Sequence, residues 1–240
     1  MTALDTRTTV GQLVANRPSR SRVFQRLGID FCCCGKQSLE VACRAKGLDP
    51  GAVLKTLLVS EQADHAGIVD AAKMSLTELC DHIEQTHHAY LRQELPRLHA
   101  MITKVATVHG DRCPWMRDVL AVFEPFIKEL SSHMMKEEQV LFPMIRAMES
   151  GKTHAADHCG GTIANPVRMM EHEHRDAGEA LRRMNELTNG CTPPADACNT
   201  FRATLDGLRE LEADMYQHVH KENNVLFPRA VELEIAAKSR

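Results

Sequence analysis

Two histidines and a glutamate recur in the same order twice along this 240-residue chain: His88, His133 and Glu137, then His174, His218 and Glu222. The intervals are 45 and 4 residues in the first set and 44 and 4 in the second. Residues four apart on an α-helix lie one turn above each other, so each His-x-x-x-Glu pair can reach a single point. Imidazole nitrogen with carboxylate oxygen, and no thiolate, suits iron or manganese, and each carboxylate can bridge two ions. Buried without a cation, each ionised glutamate would cost several kcal/mol. Two divalent non-haem ions, bridged by both glutamates and with room left for an oxo or hydroxo bridge, remove that difficulty. The four histidines then divide as two per metal, which leaves coordination positions open and the centre reactive.

The repeat extends to the letters around the ligands. His133-Met-Met-Lys-Glu-Glu-Gln-Val-Leu-Phe-Pro143 aligns with His218-Val-His-Lys-Glu-Asn-Asn-Val-Leu-Phe-Pro228, and seven of eleven positions agree. One His-x-x-x-Glu alone reads as a surface pair on a helix. Two copies with matching distant histidines read as a duplicated helical hairpin, each closed by a helix-ending proline, that builds a metal site.

Other reactive residues carry weaker signals. Glu173, beside His174, is a candidate proton relay or extra oxygen ligand. His82, His87, His172 and His220 lie within a helical turn of ligands and are candidates to support them. His65, His99 and His109 read as surface, and His154, His158 and Cys159 as exposed polar chain. The pairs Met134-Met135 and Met169-Met170 read as core filler. Cys32, Cys33 and Cys34 form a run before Gly35, at a turn expected to enter a helix whose dipole would lower their thiol pKa. Their spacing fits no zinc framework, which leaves redox or nitrosylation chemistry, a transient metal handover, or packing.

These residues need long helices to position them. Ser75-Leu-Thr-Glu78 has capping-box spacing and opens a helix carrying His88 towards Gly110. Pro114 starts a second, bearing His133 and Glu137 and ending near Ser150. Asn165-Pro166 caps a third, with His174, and the fourth runs to Pro228 with His218 and Glu222. The expected fold is all-α: an up-and-down four-helix bundle over 75–240. Residues 60–74 read as a linker. Within 1–59, short helices near Val10–Ala15, over Ser19–Leu27, after Ser38 and after Asp49-Pro50 make a small N-terminal helical domain.

Composition supports this architecture. Apolar residues make up 43% and charged residues 25%, which places the chain among globular proteins, while 4% aromatics favours helices over sheets. Residues 1–59 carry 9 Lys and Arg against 4 Asp and Glu, so a basic module adjoins an acidic one. With no nucleic-acid motif, that charge is expected to dock the module on its acidic neighbour or an acidic partner. No apolar leader or membrane span is evident, and the nine cysteines are odd in number, so a cytoplasmic protein with reduced thiols is expected.

Asp30-Phe-Cys-Cys-Cys-Gly-Lys-Gln-Ser-Leu39, Ser131-Ser-His-Met-Met-Lys-Glu-Glu138 and Glu222-Asn-Asn-Val-Leu-Phe-Pro-Arg-Ala230 resemble the iron–sulfur cluster repair di-iron proteins, the Repair of Iron Centres family. The resemblance spans almost the whole chain and implies a double-cysteine module followed by a hemerythrin-like bundle. It implies the same six ligands, and Cys32 and Cys33 match the family's vicinal pair. Cys34 departs from the glycine more usual there. The function implied is repair of iron–sulfur clusters damaged by nitrosative or oxidative stress, by supplying iron to damaged or apo iron–sulfur proteins. Nitric oxide binding, scavenging or reduction at the di-iron site is the alternative. An oxygen carrier fits less well, since hemerythrin uses five histidines. Whether the chain works alone or as a homodimer stays open.

Overall fold

Apolar residues spaced three and four apart, closed by local caps, build helices throughout the computed structural model. It describes residues 5–60, 69–152 and 162–239. Most of the expected linker, with His65, His154, His158 and Cys159, lies outside the described residues. The amino-terminal part contains α1 (Val10–Asn16), a 3₁₀ turn at Pro18–Arg20, α2 (Ser21–Arg26), α3 (Leu39–Ala45) and α4 (Pro50–Ser60). Thr9 and Ser38 cap α1 and α3 through their hydroxyls, and Asp49 accepts from the Ala52 amide at 2.7 Å. Gly28 and Gly47, at φ 63° and 67°, supply the left-handed residues that end α2 and α3. Val10, Leu13, Phe24, Phe31, Leu39 and Leu57 form a core of their own.

Four rods make the bundle. The first is α5 (Leu76–Ile83), a π-turn at Glu84–His88 and α6 (Ala89–His109). The second is α7 (Trp115–Lys136), a π-turn at Glu137–Leu141 and α8 (Phe142–Glu149). The third is α9 (Ala164–Leu187). The fourth is α10 (Asn199–Lys221), a π-turn at Glu222–Leu226 and α11 (Phe227–Lys238). The capping box at Ser75 and Glu78 forms as its spacing predicts. α6 packs against both α7 and α10, and α7 against α9.

Three local expectations are corrected. Pro143 and Pro228 do not end helices: each sits in the first turn after a π-turn, and the rod continues. The widened turn already lacks the ordinary hydrogen bond that a proline would break. Second, α9 starts at Ala164, and Asn165 is not its cap. Glu234 of α11 accepts from the Ile163 amide at 3.1 Å and the Thr162 hydroxyl at 2.6 Å, so a distant carboxylate caps that end. Third, only one methionine of each pair is core, since Met134 and Met170 are buried whereas Met135 and Met169 are about half exposed.

Two apolar layers enclose the middle of the bundle. One contains Leu98, Phe123, Phe126, Phe201 and Leu211, the other Leu79, Ile83, Phe142, Ile145 and Phe227. The amino-terminal module docks on the fourth rod. The Asn224 side-chain amide donates to the carbonyls of Phe31 at 3.3 Å and Cys32 at 3.1 Å, and Phe31 packs on Tyr216 and His220. Lys36 pairs with Glu171 across the junction at 2.9 Å, one instance of the basic-on-acidic docking that the charge asymmetry predicts. Among the described residues no helix is long and apolar enough to cross a membrane.

Candidate metal centre

Each π-turn places a candidate ligand at one of its ends: His88 closes the first, Glu137 opens the second and Glu222 opens the third. A π-turn offsets the helix face by one residue, and such turns cluster at functional sites. All six residues of the repeat meet between the apolar layers. His88, His174, His218, Glu137 and Glu222 are 1% exposed or less and His133 is 2% exposed.

They form two overlapping groups. His88 and His218 face Glu137 and Glu222, and His133 and His174 face the same two glutamates, each group having its donor atoms within 4.8 Å of one another. Both carboxylates therefore belong to both groups. The Nε2 atoms of His88 and His218 are 3.2 Å apart, and those of His174 and His133 are 3.0 Å apart. Among the described residues neither Glu137 oxygen has a hydrogen-bond partner, although His88 and His133 nitrogens stand 3.4 and 3.3 Å from one of them. Converging ring nitrogens around buried, unpartnered carboxylate oxygens fit a pair of cations.

The electrostatics point the same way. Burial and the facing Glu222 push the Glu137 carboxyl up, yet His133 and His88 outweigh them and hold it below its ordinary value. Burial likewise opposes ionisation of Glu222, but His218 and His174 keep it well below the carboxylate range. Against its own burial, His133 is raised to about 10 by Glu137 and Glu173, and His88 is raised by Glu137 and Glu222. Two buried anions thus demand positive charge, and protons on imidazole supply it when cations do not.

The outward ring nitrogens are fixed by side chains that follow the repeat. Glu138 accepts from His88 Nδ1 at 2.7 Å and also pairs with Arg92, while Asn223 Oδ1 accepts from His174 Nδ1 at 2.9 Å. Each follows the glutamate of its own half, so the position after each bridging candidate was the available signal for both. Phe142 and Phe227, aligned in the repeat, stack on His88 and His174 at 5.8 and 6.0 Å. Glu173 accepts from His133 Nδ1 at 2.9 Å and pairs with Lys136. It stands on the outward side of that ring, so it orients the ring and is not placed as an oxygen ligand. The His133 hydrogen bond and Lys136 hold its pKa down to about 2, against partial burial.

The remaining histidines divide. His87 Nδ1 donates to Asp214 at 2.8 Å, its Nε2 meets Lys221 at 2.6 Å, and His82 also meets Lys221 at 3.0 Å. His220 lies against Phe31, and His172 is exposed beside Asp176. None of the four hydrogen bonds to a candidate ligand. His99 and His109 are partly covered, and His109 approaches the Cys198 thiol at 3.4 Å. The cysteine run also departs from expectation. Residues 33–36 form turns and α3 begins only at Leu39, so the thiols do not stand at the entrance of a helix. Cys33, burial and Asp30 push the Cys32 thiol well above its ordinary value, and burial and Asp30 raise Cys34 to about 11.

A four-helix bundle with imidazoles and shared carboxylates converging at its centre defines a hemerythrin-like cation-binding protein. Residues 79–230 match the hemerythrin HHE cation binding domain, and residues 6–61 match a domain of unknown function, DUF542. The chain belongs to the family of the iron–sulfur cluster repair proteins. It is 40% identical over 222 residues to the iron–sulfur cluster repair protein YtfE of Enterobacter sp. (strain 638), covering 92% of this chain and 96% of the relative. It is 39% identical over 223 residues to that of Musicola paradisiaca, covering 93% and 96%. For that of Escherichia coli O157:H7 identity is 38% over 222 residues, covering 92% and 96%.

Proposed function

We propose that this chain repairs iron–sulfur clusters damaged by nitrosative or oxidative stress in the cytoplasm, by supplying iron held at a centre of two ions. His88 and His218 would hold one ion and His133 and His174 the other, with Glu137 and Glu222 common to both. The observation that carries the reading is that the same two buried glutamates belong to both ligand groups. The relatives, named as iron–sulfur cluster repair proteins, support the choice of target. Residues 1–59 act as a separate helical domain joined through 60–74 to the bundle.

When bound, the iron pair supplies both the cargo and open coordination positions. The chain's own residues do the rest. Glu138, Asn223 and Glu173 keep one ring nitrogen of His88, His174 and His133 protonated on the outward side, so that Nε2 presents its lone pair inward. In the cation-free state His133 and His88 take up protons opposite Glu137, which keeps the vacated centre from holding uncompensated carboxylates. Release of cargo is thereby compatible with an intact fold. Iron-loaded protein is expected to restore activity to a damaged iron–sulfur enzyme, and a Glu137→Leu, Glu222→Leu variant is expected not to. Equal repair by both would remove the proposal.

A second reading, binding or reduction of nitric oxide at the same centre, is favoured by a cavity of about 620 Å³ lined by His133, Lys136, Glu173 and His174. It gives a small ligand a route to the inner ligands. Anaerobic titration of the reduced, iron-loaded protein with nitric oxide should change its spectrum stoichiometrically, and nitrous oxide over several turnovers would distinguish catalysis from storage. An unchanged spectrum would remove this reading.

A further inference from the structure

Outside the bundle centre, one cluster of metal-ligating side chains stands out. Asp30, Cys32 and Cys33 bring a carboxylate oxygen and two sulfurs within 4.8 Å of one another. The Cys32 sulfur is 3.2 Å from Asp30 Oδ1 and 3.8 Å from the Cys33 sulfur. The loop is organised before any ligand arrives, because Asp30 Oδ1 accepts from the backbone amides of Cys32 and Cys33, each at 2.9 Å. Asn224 holds the same loop from behind through the Cys32 carbonyl. Cys34 follows directly, is exposed, and lies within the field of the same carboxylate.

We propose that Asp30, Cys32 and Cys33 form a thiolate–carboxylate site for one borderline divalent cation such as iron(II) or zinc(II). Three observations support this. The donor set is sulfur-rich, which selects borderline and soft ions over magnesium or calcium. Two thiols and a carboxylate crowded together become like charges once deprotonated, and a divalent ion neutralises them where, among the described residues, no side chain of opposite sign is hydrogen-bonded to either sulfur. The cluster also has an entrance, since a cavity of about 590 Å³ is lined by Asp30 and all three cysteines and reaches His174 and Gly178 of α9. The Cys33 thiol donates to the backbone carbonyl of His174 at 3.4 Å, so the second site abuts the bundle centre without sharing a ligand side chain with it. This inference does not depend on iron donation.

Anaerobic titration of the reduced, full-length, iron-loaded protein with cobalt(II) tests it. Thiolate bound to cobalt gives an intense near-ultraviolet charge-transfer band, which the bundle centre, having no sulfur ligand, cannot produce. The band is expected to saturate at one equivalent and to disappear in the Cys32→Ser, Cys33→Ser variant. Asp30→Asn keeps an oxygen for the two amide hydrogen bonds but removes the charge, so it should weaken cobalt binding roughly tenfold or more with an unchanged circular dichroism spectrum. Absence of the band in reduced protein, its survival in the double variant, or unaltered affinity in Asp30→Asn would each overturn the proposal.

Discussion

His87 lies flat against His218, with ring centroids 5.3 Å apart and planes 3° from parallel. It is the residue before His88, as Glu173 is the residue before His174. Glu173 takes the outward nitrogen of His133, whereas the outward Nδ1 of His218 has no hydrogen-bond partner among the described residues. The two mirrored halves are therefore unequal. An imidazole backed by a carboxylate is a more basic and better oriented ligand than one covered by a neutral ring. With both proposed positions filled, an ion between His88 and His218 is expected to leave first under a weak chelator, giving two-step metal loss. In Glu173→Ala the second step should accelerate by about 10- to 100-fold. Single-step loss in the unaltered protein, followed by metal analysis, would contradict this asymmetry.

Glu138 should matter through its position alone. Glu138→Ala frees both His88 and Arg92, and cation affinity measured by chelator competition should fall by about 10- to 100-fold. Glu138→Gln keeps an oxygen for His88 Nδ1 and should lose less. Equal affinity in the alanine variant and the unaltered protein would show that the hydrogen bond does not support the ligand.

Metal loading should release protons and weaken in acid. His133, raised to about 10, and His88, also raised, must give up protons before Nε2 can bind a cation. Affinity is therefore expected to rise with pH, and titration in dilute buffer should report proton release. Stability of the cation-free chain carries the converse sign. A histidine with a raised folded pKa contributes fully below its unfolded value near 6.5, and that contribution is lost as pH rises through about 10. Denaturant unfolding of cation-free protein should thus show declining stability over that window.

Docking of the cysteine loop should depend on Asn224. A side chain added at Gly11 or Gly35 would run into its amide, so Gly35→Ala and Asn224→Leu should both loosen the loop. Cys32, 2% exposed, should then react with a thiol reagent about tenfold faster or more, while bundle helicity is retained. Unchanged thiol kinetics in both variants would show that other contacts hold the module.

Phe123 tests the separation of fold from site. It is fully buried and stacks on Phe126 at 5.9 Å, in the apolar layer beyond the ligands. Phe123→Ala should cost about 3–5 kcal/mol of unfolding free energy. Cation stoichiometry at low temperature should stay unchanged, and a loss of cations in a folded variant would show that this layer also shapes the centre.

Much of this was legible in one dimension. The helices carrying His88, His133, His174 and His218 follow from apolar spacing, because a helix that buries one face repeats every three or four residues wherever it packs. The Ser75 capping box is equally local. The π-turns were not legible, since one widened turn leaves the apolar pattern on either side nearly intact. The prolines after the second and third, Pro143 and Pro228, were instead read as ending helices. The cap of α9 comes from Glu234, distant in sequence, and no local signal announces it. Cys32–Cys34 looked like thiols at a helix entrance, whereas their surroundings are set by Asp30 and by the neighbouring bundle.

What the sequence determined by itself was the inventory: six ligand candidates, doubled in order and spacing, on rods that must pack together. How they combine was decided in three dimensions. Each ligand group draws one histidine from either half, His88 with His218 and His133 with His174, around glutamates common to both. Helical periodicity says which face a residue occupies but not which rod that face meets. That depends on how apolar layers from all four rods pack, and on the register that the π-turns set.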